Sequence, residues 1–257
     1  MVTLSRLVTS CACSCIMLCL ISCAGSERQQ SDSNLPGATV RQFGTMREVM
    51  HEGMTGPRVA LGSQAGRHAV ALGALEGLDG EITIMNGDVW ISRVRDGDVV
   101  TSGPAVPSEP QATLLVVSHV PTWRTIAFDA PAGGAELEAA INRAAMEQGI
   151  DTSMPFPFII DGVATSLDMH VINGFCPHGS GEVTVGREPL RIMLAEPTPV
   201  SIIGFYAEGA QGILTHHGTS IHAHALLDAP EGRMTGHIDS VEVADHAVLR
   251  LPANSMR

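Results

Sequence analysis

The sequence is poor in aromatic residues, in cations and, beyond its first 23 positions, in cysteine. Aromatic residues make up 4% of the 257 positions, which argues against recognition of bases or sugar rings by stacking. Lys and Arg number 15 against 27 Asp and Glu, and the formal charge of −12 argues against nucleic acid as a partner. An anionic small molecule would therefore need a local cation, such as a metal ion or one Arg. The sequence also lacks a glycine-rich phosphate loop, a Gly-x-Ser-x-Gly turn and an internal repeat.

The first 22 residues have the pattern of a secretory signal. Arg6 supplies a positive charge, and residues 7–22 form an apolar run that is short for a bilayer span. The run ends in Leu20-Ile21-Ser22-Cys23, which resembles a bacterial lipobox, so we predict lipidation at Cys23. An uncleaved membrane anchor is the alternative. Residues 23–38 then form a lipidated, flexible tether.

This leader places the rest of the chain at the cell envelope. We expect a lipid-anchored protein on the periplasmic face of the membrane. Residue 24 is Ala and not Asp, which favours the outer membrane in a Gram-negative host. Cys176 is the only cysteine after Cys23, so the sequence predicts no intramolecular disulfide. We interpret Cys176 as a small buried hydrophobic residue, not as a nucleophile.

The residue pattern predicts an α+β fold with mixed or antiparallel sheets and few helices. The capping-box pattern Thr45-Met46-Arg47-Glu48 opens a short helix, and residues 135–148 carry the apolar stripe of a longer one. Asn86-Gly87 between two strand-like runs predicts a type I′ hairpin. The other predicted strands are residues 68–75, 112–120, 156–160, 167–172, 182–185, 199–207, 221–227, 235–243 and 247–251. We accordingly divide the chain into an N-terminal α/β part, residues 39–150, and a mainly antiparallel part, residues 151–257.

Three histidines near the C-terminus have the spacing of a metal site. His222 and His224 lie two residues apart, so a strand places both on one face. If the hairpin turns over residues 229–232, His224 and His237 lie opposite each other, with Cβ atoms about 4.5–5.5 Å apart. Three converging imidazoles with one open position form a common ligand set of catalytic zinc. The alternative is a chance His-x-His pair without metal. His216, His217 and His246 are predicted to be loop or rim residues.

Several motifs, in this order, resemble the α-acetolactate decarboxylase family. They are spread from about Thr45 to Leu251 and comprise Leu78-Asp79-Gly80-Glu81, Ile160-Asp161-Gly162, Ile202-Ile203-Gly204-Phe205, Ile221-His222-Ala223-His224 and Gly236-His237. The resemblance implies the fold of that family and one zinc ion held by the three histidines. It also implies zinc-dependent decarboxylation of acetolactate, or a related 2-hydroxy-3-keto acid, to acetoin and CO2.

The resemblance also implies a catalytic role for Glu81. Loss of CO2 leaves an enediolate, and the matching Glu of the family delivers or shuttles the proton that it needs. The alternative for Glu81 is a solvent-facing residue beside a turn. The expected partner is thus an anionic keto acid, and the assembly is left open between a monomer and a homodimer.

Three positions depart from the family pattern and predict altered substrate recognition. Ile159 stands where the family has the Arg that meets the substrate carboxylate, and no Glu follows Glu242, although the family has a functional Glu in its C-terminal tail. Gly73-Ala74-Leu75 replaces Gly-Thr-Phe. We expect Ile159 to line the pocket as an apolar patch, and the candidates for a substitute cation are Arg93, Arg95 and His170. A zinc-binding periplasmic module without turnover, or metal-assisted hydrolysis, are the alternative functions.

Overall fold

A computed structural model describes residues 39–105, 110–175, 187–229 and 232–253. Among them lie the helices α1 (Met46–Met50) and α2 (Gly134–Glu147) and two single turns of 3-10 helix, Leu61–Ser63 and Glu76–Leu78. All described strands belong to two sheets, and every strand pair in both is antiparallel. The described residues fall within one compact unit. The α+β class predicted from the sequence is confirmed.

The first sheet has seven strands in the order β1-β7-β3-β4-β5-β6, with β2 beside β7. Its strands are β1 (Arg41–Phe43), β2 (Val59–Ala60), β3 (Ala69–Leu75), β4 (Glu81–Met85), β5 (Asp88–Arg95), β6 (Asp98–Ser102) and β7 (Gln111–His119). The β4–β5 hairpin turns through Asn86 and Gly87, whose φ values of 55° and 91° are those that a type I′ turn requires. The predicted hairpin is therefore confirmed.

The second sheet has eight strands in the order β8-β15-β10-β12-β13-β14-β9, with β11 beside β10. Its strands are β8 (Trp123–Ala127), β9 (Ala132–Gly133), β10 (Phe156–Val171), β11 (Leu190–Leu194), β12 (Thr198–Tyr206), β13 (Ile221–Ala229), β14 (Gly232–Val243) and β15 (Val248–Pro252). The first half of β10 pairs with β12 and its second half pairs with β14. Strands β10, β12, β13 and β14 therefore close into a ring.

The sequence-based prediction of two strands, 156–160 and 167–172, is wrong, because β10 is one continuous strand. Asp161-Gly162 has the composition of a turn, but Asp161 accepts a 2.7 Å hydrogen bond from the Ser201 hydroxyl and pairs with Arg250. Neighbouring strands therefore hold this segment extended. Strands β1, β2, β6, β8, β9 and β11 were not predicted. The predicted strand 182–185 and Cys176 lie outside the described residues.

Strand alternation gives each sheet one face toward the other sheet and one face away from it. The facing sides share an apolar cluster that includes Val70 and Trp90 of the first sheet and Ile159, Ile203 and Leu226 of the second. On its other side, the second sheet packs Phe158, Ile160 and Ala225 together with Leu137 and Ile141 of α2. The capping box predicted for α1 is present, with Glu48 N donating to the Thr45 hydroxyl. Neither α1 nor α2 combines the length and hydrophobicity that a bilayer-spanning helix requires.

Candidate metal centre

The three predicted histidines converge between the two sheets. His224 and His237 are direct partners across β13 and β14, which is the predicted register, and the pairing continues to Ala229 and Gly232. One ring nitrogen of each histidine lies within 4.8 Å of the others. The ring centroid of His222 is 5.5 Å from that of His224 and 5.1 Å from that of His237. All three side chains therefore point to one place, as the two-residue alternation predicts.

Burial keeps these imidazoles neutral. His222, His224 and His237 are between 1% and 7% exposed. Burial lowers the pKa of His224 to about 3, with the nearby His170 lowering it further and a hydrogen bond to the backbone of Ile82 opposing the shift. The pKa values of His222 and His237 are also lowered well below 6.5, first by burial and then by the neighbouring histidines. A metal ion would therefore meet neutral ligands at neutral pH, without first displacing protons from them.

A chain of hydroxyl groups assigns the proton of His224. The Thr235 hydroxyl donates to the carbonyl of Ala225 at 2.9 Å, so it must accept in its 2.6 Å contact with the Thr83 hydroxyl. The Thr83 hydroxyl therefore donates its proton to Thr235, and its oxygen accepts a 3.1 Å hydrogen bond from Nδ1–H of His224. The lone pair of His224 is consequently on Nε2. Thr83 was not predicted, although its position two residues after Glu81 places it on the same face of β4.

Glu81 faces the histidines from the first sheet. Its Oε2 atom is 3.6 Å from Nε2 of His224, and its side chain is buried. Burial raises the pKa of Glu81 to about 8, Asp239 raises it further, and a hydrogen bond from the backbone N–H of Ile172 lowers it. Glu81 is therefore mainly protonated at neutral pH, and its contact with the neutral His224 is not an ion pair. The alternative of a solvent-facing Glu81 is excluded.

His170 forms a further part of the pocket wall. It is the β10 partner of His237, with ring centroids 5.0 Å apart, and it is 1% exposed. Its Nδ1 atom lies 2.9 Å from Oδ2 of Asp239. Asp239 sits at a β-bulge of β14, where the pairing with β10 skips one residue, and such bulges redirect side chains. His216 lies at the rim, as predicted, with its ring 5.0 Å from that of His237.

The expectation that Ile159 lines this pocket is wrong. Ile159 is fully buried in the apolar cluster between the sheets, and it is not among the described residues around the histidines. It occupies the same sheet face as His224, but it pairs with Ile203, which in turn pairs with His224. Two strand spacings therefore separate the two residues, roughly 10 Å.

Of the three candidate cations, only His170 reaches the pocket. Arg93 and Arg95 both bind Asp79, with distances of 3.3 Å and 2.7 Å between the guanidinium nitrogens and Oδ2. These arginines, with Arg187, hold the pKa of Asp79 below its ordinary value, although burial opposes that shift. The described residues that line the pocket include no Lys or Arg. They are Met46, Met50, Gly73, Ala74, Glu81, Leu114, His170, Ile172, His216, His222, His224 and His237.

The residues present fit a divalent metal ion. The buried Nδ1 atom of His222 has no hydrogen-bond partner, and such an atom is costly unless a ligand or ion satisfies it. Three neutral imidazoles are a ligand set that suits zinc and other first-row metals. The space among the histidines is about 20 Å³, enough for about one ion or water molecule.

Comparison with known proteins identifies solved structures of the same fold. No family model and no curated protein matches the sequence. The structure of α-acetolactate decarboxylase from Bacillus subtilis strain 168 matches 82% of this chain and 84% of its own, with 17% identity and a TM-score of 0.62. That of acetolactate decarboxylase from Bacillus subtilis subspecies spizizenii covers 82% and 85%, with 18% identity and a TM-score of 0.60.

A third structure extends this likeness. It is a protein from Staphylococcus aureus described as similar to α-acetolactate decarboxylase, with 15% identity, 82% and 84% coverage and a TM-score of 0.61. At such low identity the likeness shows the fold, and the activity has to be inferred from the residues of the site. The chain therefore has the fold of the acetolactate decarboxylases, which confirms the fold that the sequence motifs implied.

Proposed function

We propose that this protein is a zinc-dependent decarboxylase of acetolactate or a related 2-hydroxy-3-keto acid, with acetoin and CO2 as the products from acetolactate. The observation that carries the proposal is the placement of one buried carboxyl group, that of Glu81, beside three buried histidines. A simple metal store has no need of a proton donor at its ligands. The shared fold with the Bacillus subtilis enzymes supports the same conclusion.

His222, His224 and His237 are the residues that would hold the metal. When bound, a zinc ion acts as a Lewis acid for the keto and hydroxyl oxygens of the substrate and stabilises the negative charge that develops when CO2 leaves. Thr83 fixes the tautomer of His224 through the hydrogen bond to Nδ1, so that Nε2 presents its lone pair.

Glu81 supplies the proton that decarboxylation requires. The bond between the carboxylate carbon and its neighbouring carbon breaks, and the electron pair remains on the carbon skeleton as an enediolate. One proton must then reach carbon, and Glu81 is the buried acid beside the histidines, whose pKa burial raises to about 8 in the metal-free protein. Proton uptake from water afterwards restores the acid. Burial among Ile172, Ala74 and the histidines limits the access of water to this proton.

The substrate carboxylate meets a different environment from the one the family pattern implies. Neither Lys nor Arg is among the described residues that line the pocket, so the imidazoles of His170, which contacts Asp239, and His216 are what a carboxylate could meet there. A single imidazole offers less than a bidentate guanidinium. We therefore expect weak binding of acetolactate, with a high KM.

This same observation favours a second candidate, a zinc-binding module without turnover. Loss of the carboxylate clamp removes substrate recognition but leaves the three ligands in place. The two functions differ in whether Glu81 matters to any reaction.

The deciding experiment is an assay of acetoin formation by zinc-loaded protein that starts at Gln30 and so contains every described residue. The matched variant is Glu81→Gln, which keeps the shape of the side chain and removes the acid. We expect acetoin from the natural protein and a rate at least about 100-fold lower from the variant. Equal, background-level rates in both proteins would favour the zinc-binding module and end the enzyme assignment.

We also propose that the protein is anchored to the cell envelope through a lipid on Cys23. The lipobox-like sequence supports this proposal, and residues 1–38 lie outside the described residues. Cys23→Ser should abolish palmitate incorporation and signal processing, and metabolic labelling followed by fractionation measures both. Normal cleavage and unchanged membrane retention of Cys23→Ser would contradict it.

A further inference from the structure

The strand ladder that carries the metal centre ends at the centre itself. Pairing between β13 and β14 runs from Ala229–Gly232 to His224–His237 and goes no further, so His222 has no cross-strand partner on β14. One residue beyond Ile238 comes the bulge at Asp239, which increases the local bend of β14. The two strands therefore diverge beside the histidines. The ring of paired strands is therefore open beside the histidines.

A cavity of about 340 Å³ lies beside this opening. We call it the α2 cavity, since the first turns of α2 cover it together with residues 216–219 and parts of β12, β13 and β14. His216 and His237 line both the α2 cavity and the histidine pocket, so the two spaces meet at these side chains. Its volume is in the usual range of small-molecule sites, about 300–1,000 Å³.

The described lining of the α2 cavity suits an uncharged group. Its floor is hydrocarbon, supplied by Leu137, Phe158, Ile202, Ala223 and Val241. Lys and Arg are absent from this described lining. The carboxylates at its edge have partners of their own. Glu138 accepts hydrogen bonds from the Thr219 hydroxyl at 2.6 Å and from Ser220 N at 2.9 Å.

The histidine pocket is too small to hold a substrate. Its volume of about 20 Å³ has room for an ion or a water molecule, so the remainder of any substrate must lie elsewhere. The adjoining α2 cavity is far larger, and its floor is apolar. A substrate whose oxygens face the histidines thus has a place for hydrocarbon on the floor of the α2 cavity.

We propose that the α2 cavity is the specificity pocket of this protein and takes an uncharged alkyl substituent longer than the methyl groups of acetolactate. The substrate class is then 2-hydroxy-3-keto acids with an extended or branched hydrocarbon chain. This inference rests on the metal site of the proposed function, and it adds where the rest of the substrate binds.

The test measures binding and needs no turnover. Straight-chain alkyl hydroxamates bind zinc through two oxygens, so acetohydroxamate, butyrohydroxamate and hexanohydroxamate vary only the hydrocarbon part. Their dissociation constants are measured by calorimetry with the zinc-loaded protein from Gln30 onward. We expect the affinity to rise roughly threefold to fourfold for each methylene group that the cavity buries.

Two variants test whether the alkyl chain of the hydroxamate lies in the α2 cavity. Ala223→Leu fills the floor and should remove the gain for hexanohydroxamate while acetohydroxamate binds as before. If Ala223→Leu fails to fold, Ser240→Phe at the exposed mouth serves instead, with Ser166→Phe as its matched control at an exposed position of β10 outside the cavity. Ser166→Phe should leave the chain-length series unchanged.

The outcomes separate this inference from the decarboxylase proposal. Suppose that affinity rises with the length of the alkyl chain and that Ala223→Leu or Ser240→Phe removes this rise. That result supports the specificity pocket, even in a protein that forms no acetoin. Affinities that do not change with chain length, a gain that both variants keep, or no binding of any hydroxamate would overturn it. Acetoin formation together with a flat chain-length series would retain the decarboxylase and reject the α2 cavity as its specificity pocket.

Discussion

One row of paired residues crosses the second sheet, and its two halves have opposite character. The row runs through Ile159, Ile203, His224, His237 and His170, each a direct partner of the next. At the Ile159 end the side chains pack on Val70 and Trp90 of the first sheet. At the histidine end, the first sheet instead presents Glu81 and Thr83.

The difference teaches how closely polarity is matched across the sheet interface. At the histidine end the chain Thr235–Thr83–His224 satisfies three buried polar groups in series, while Nδ1 of His222 has no hydrogen-bond partner and is left for a ligand. At the apolar end, Val70, Trp90, Ile159 and Ile203 pack on one another. A metal centre can thus lie beside a hydrophobic core, because the change from apolar to polar side chains occurs between neighbouring strands in both sheets.

The largest expected effect removes one ligand from the polar half. His224→Ala should weaken zinc binding by at least about two orders of magnitude, because two imidazoles cannot hold a zinc ion as three do. Zinc bound per chain after dialysis measures this. The variant His246→Ala changes a histidine whose side chain is 84% exposed, and it should bind zinc like the natural protein. Full zinc binding by His224→Ala would contradict the proposed ligand set.

Ile159→Arg tests the apolar half. A buried guanidinium among Val70, Trp90 and Ile203 should destabilise the protein by about 3–5 kcal/mol without improving the KM for acetolactate, since Ile159 lies two strands from His224. The free energy of unfolding in urea and the KM are the measurements. Val163→Arg on the same strand is the control, because Val163 is 36% exposed. A stable Ile159→Arg protein with a lower KM would mean that this position does reach the substrate.

Thr83→Val examines how the polar half is organised. The substitution keeps the size of the side chain and removes the hydroxyl that accepts from Nδ1–H of His224. We expect zinc affinity to fall about 10-fold to 100-fold, as for other groups that orient metal ligands. Thr113→Val is the matched control, since Thr113 is a buried threonine whose hydroxyl bonds the backbone of Met54. Equal losses in both variants would show a general effect of removing a buried hydroxyl.

A further expected effect is a pH dependence of stability in metal-free protein. Unfolded Glu81 loses its proton near pH 4.5, whereas burial raises its folded pKa to about 8. Folding therefore becomes less favourable as pH rises through this window, by up to about 1.4 kcal/mol per pH unit. Glu81→Gln lacks this ionisation, so its stability relative to the natural protein should increase from pH 5 to 8, as urea titrations would show. A constant difference would mean that Glu81 is not protonated in the folded state.

The ligand triad could be predicted because it depends on local rules. Strand alternation places His222 and His224 on one face, and the hairpin register then fixes His237. The burial of Glu81 could not be read in the same way, since it depends on the first sheet packing face to face on the second. Thr83 was missed for this reason, because its partners Thr235 and His224 are more than 100 residues away in the chain.

Lateral position within a sheet was the other quantity that the sequence did not reveal. Ile159 lies on the sheet face that carries the histidines, yet its distance from them depends on the order β10-β12-β13, which no local pattern specifies. Asp161-Gly162 misled in a similar manner. Its turn-like composition is overridden by Ser201 and Arg250, which come from strands distant in sequence.

The central claim, a three-histidine zinc centre that performs chemistry, is tested most directly by a zinc titration of metal-free protein in which bound zinc and acetoin formation are followed together. The account predicts that both rise in proportion and level off at about one zinc per chain. In His224→Ala neither should rise. Zinc binding that saturates at one per chain while acetoin stays at the level of the buffer would contradict the account.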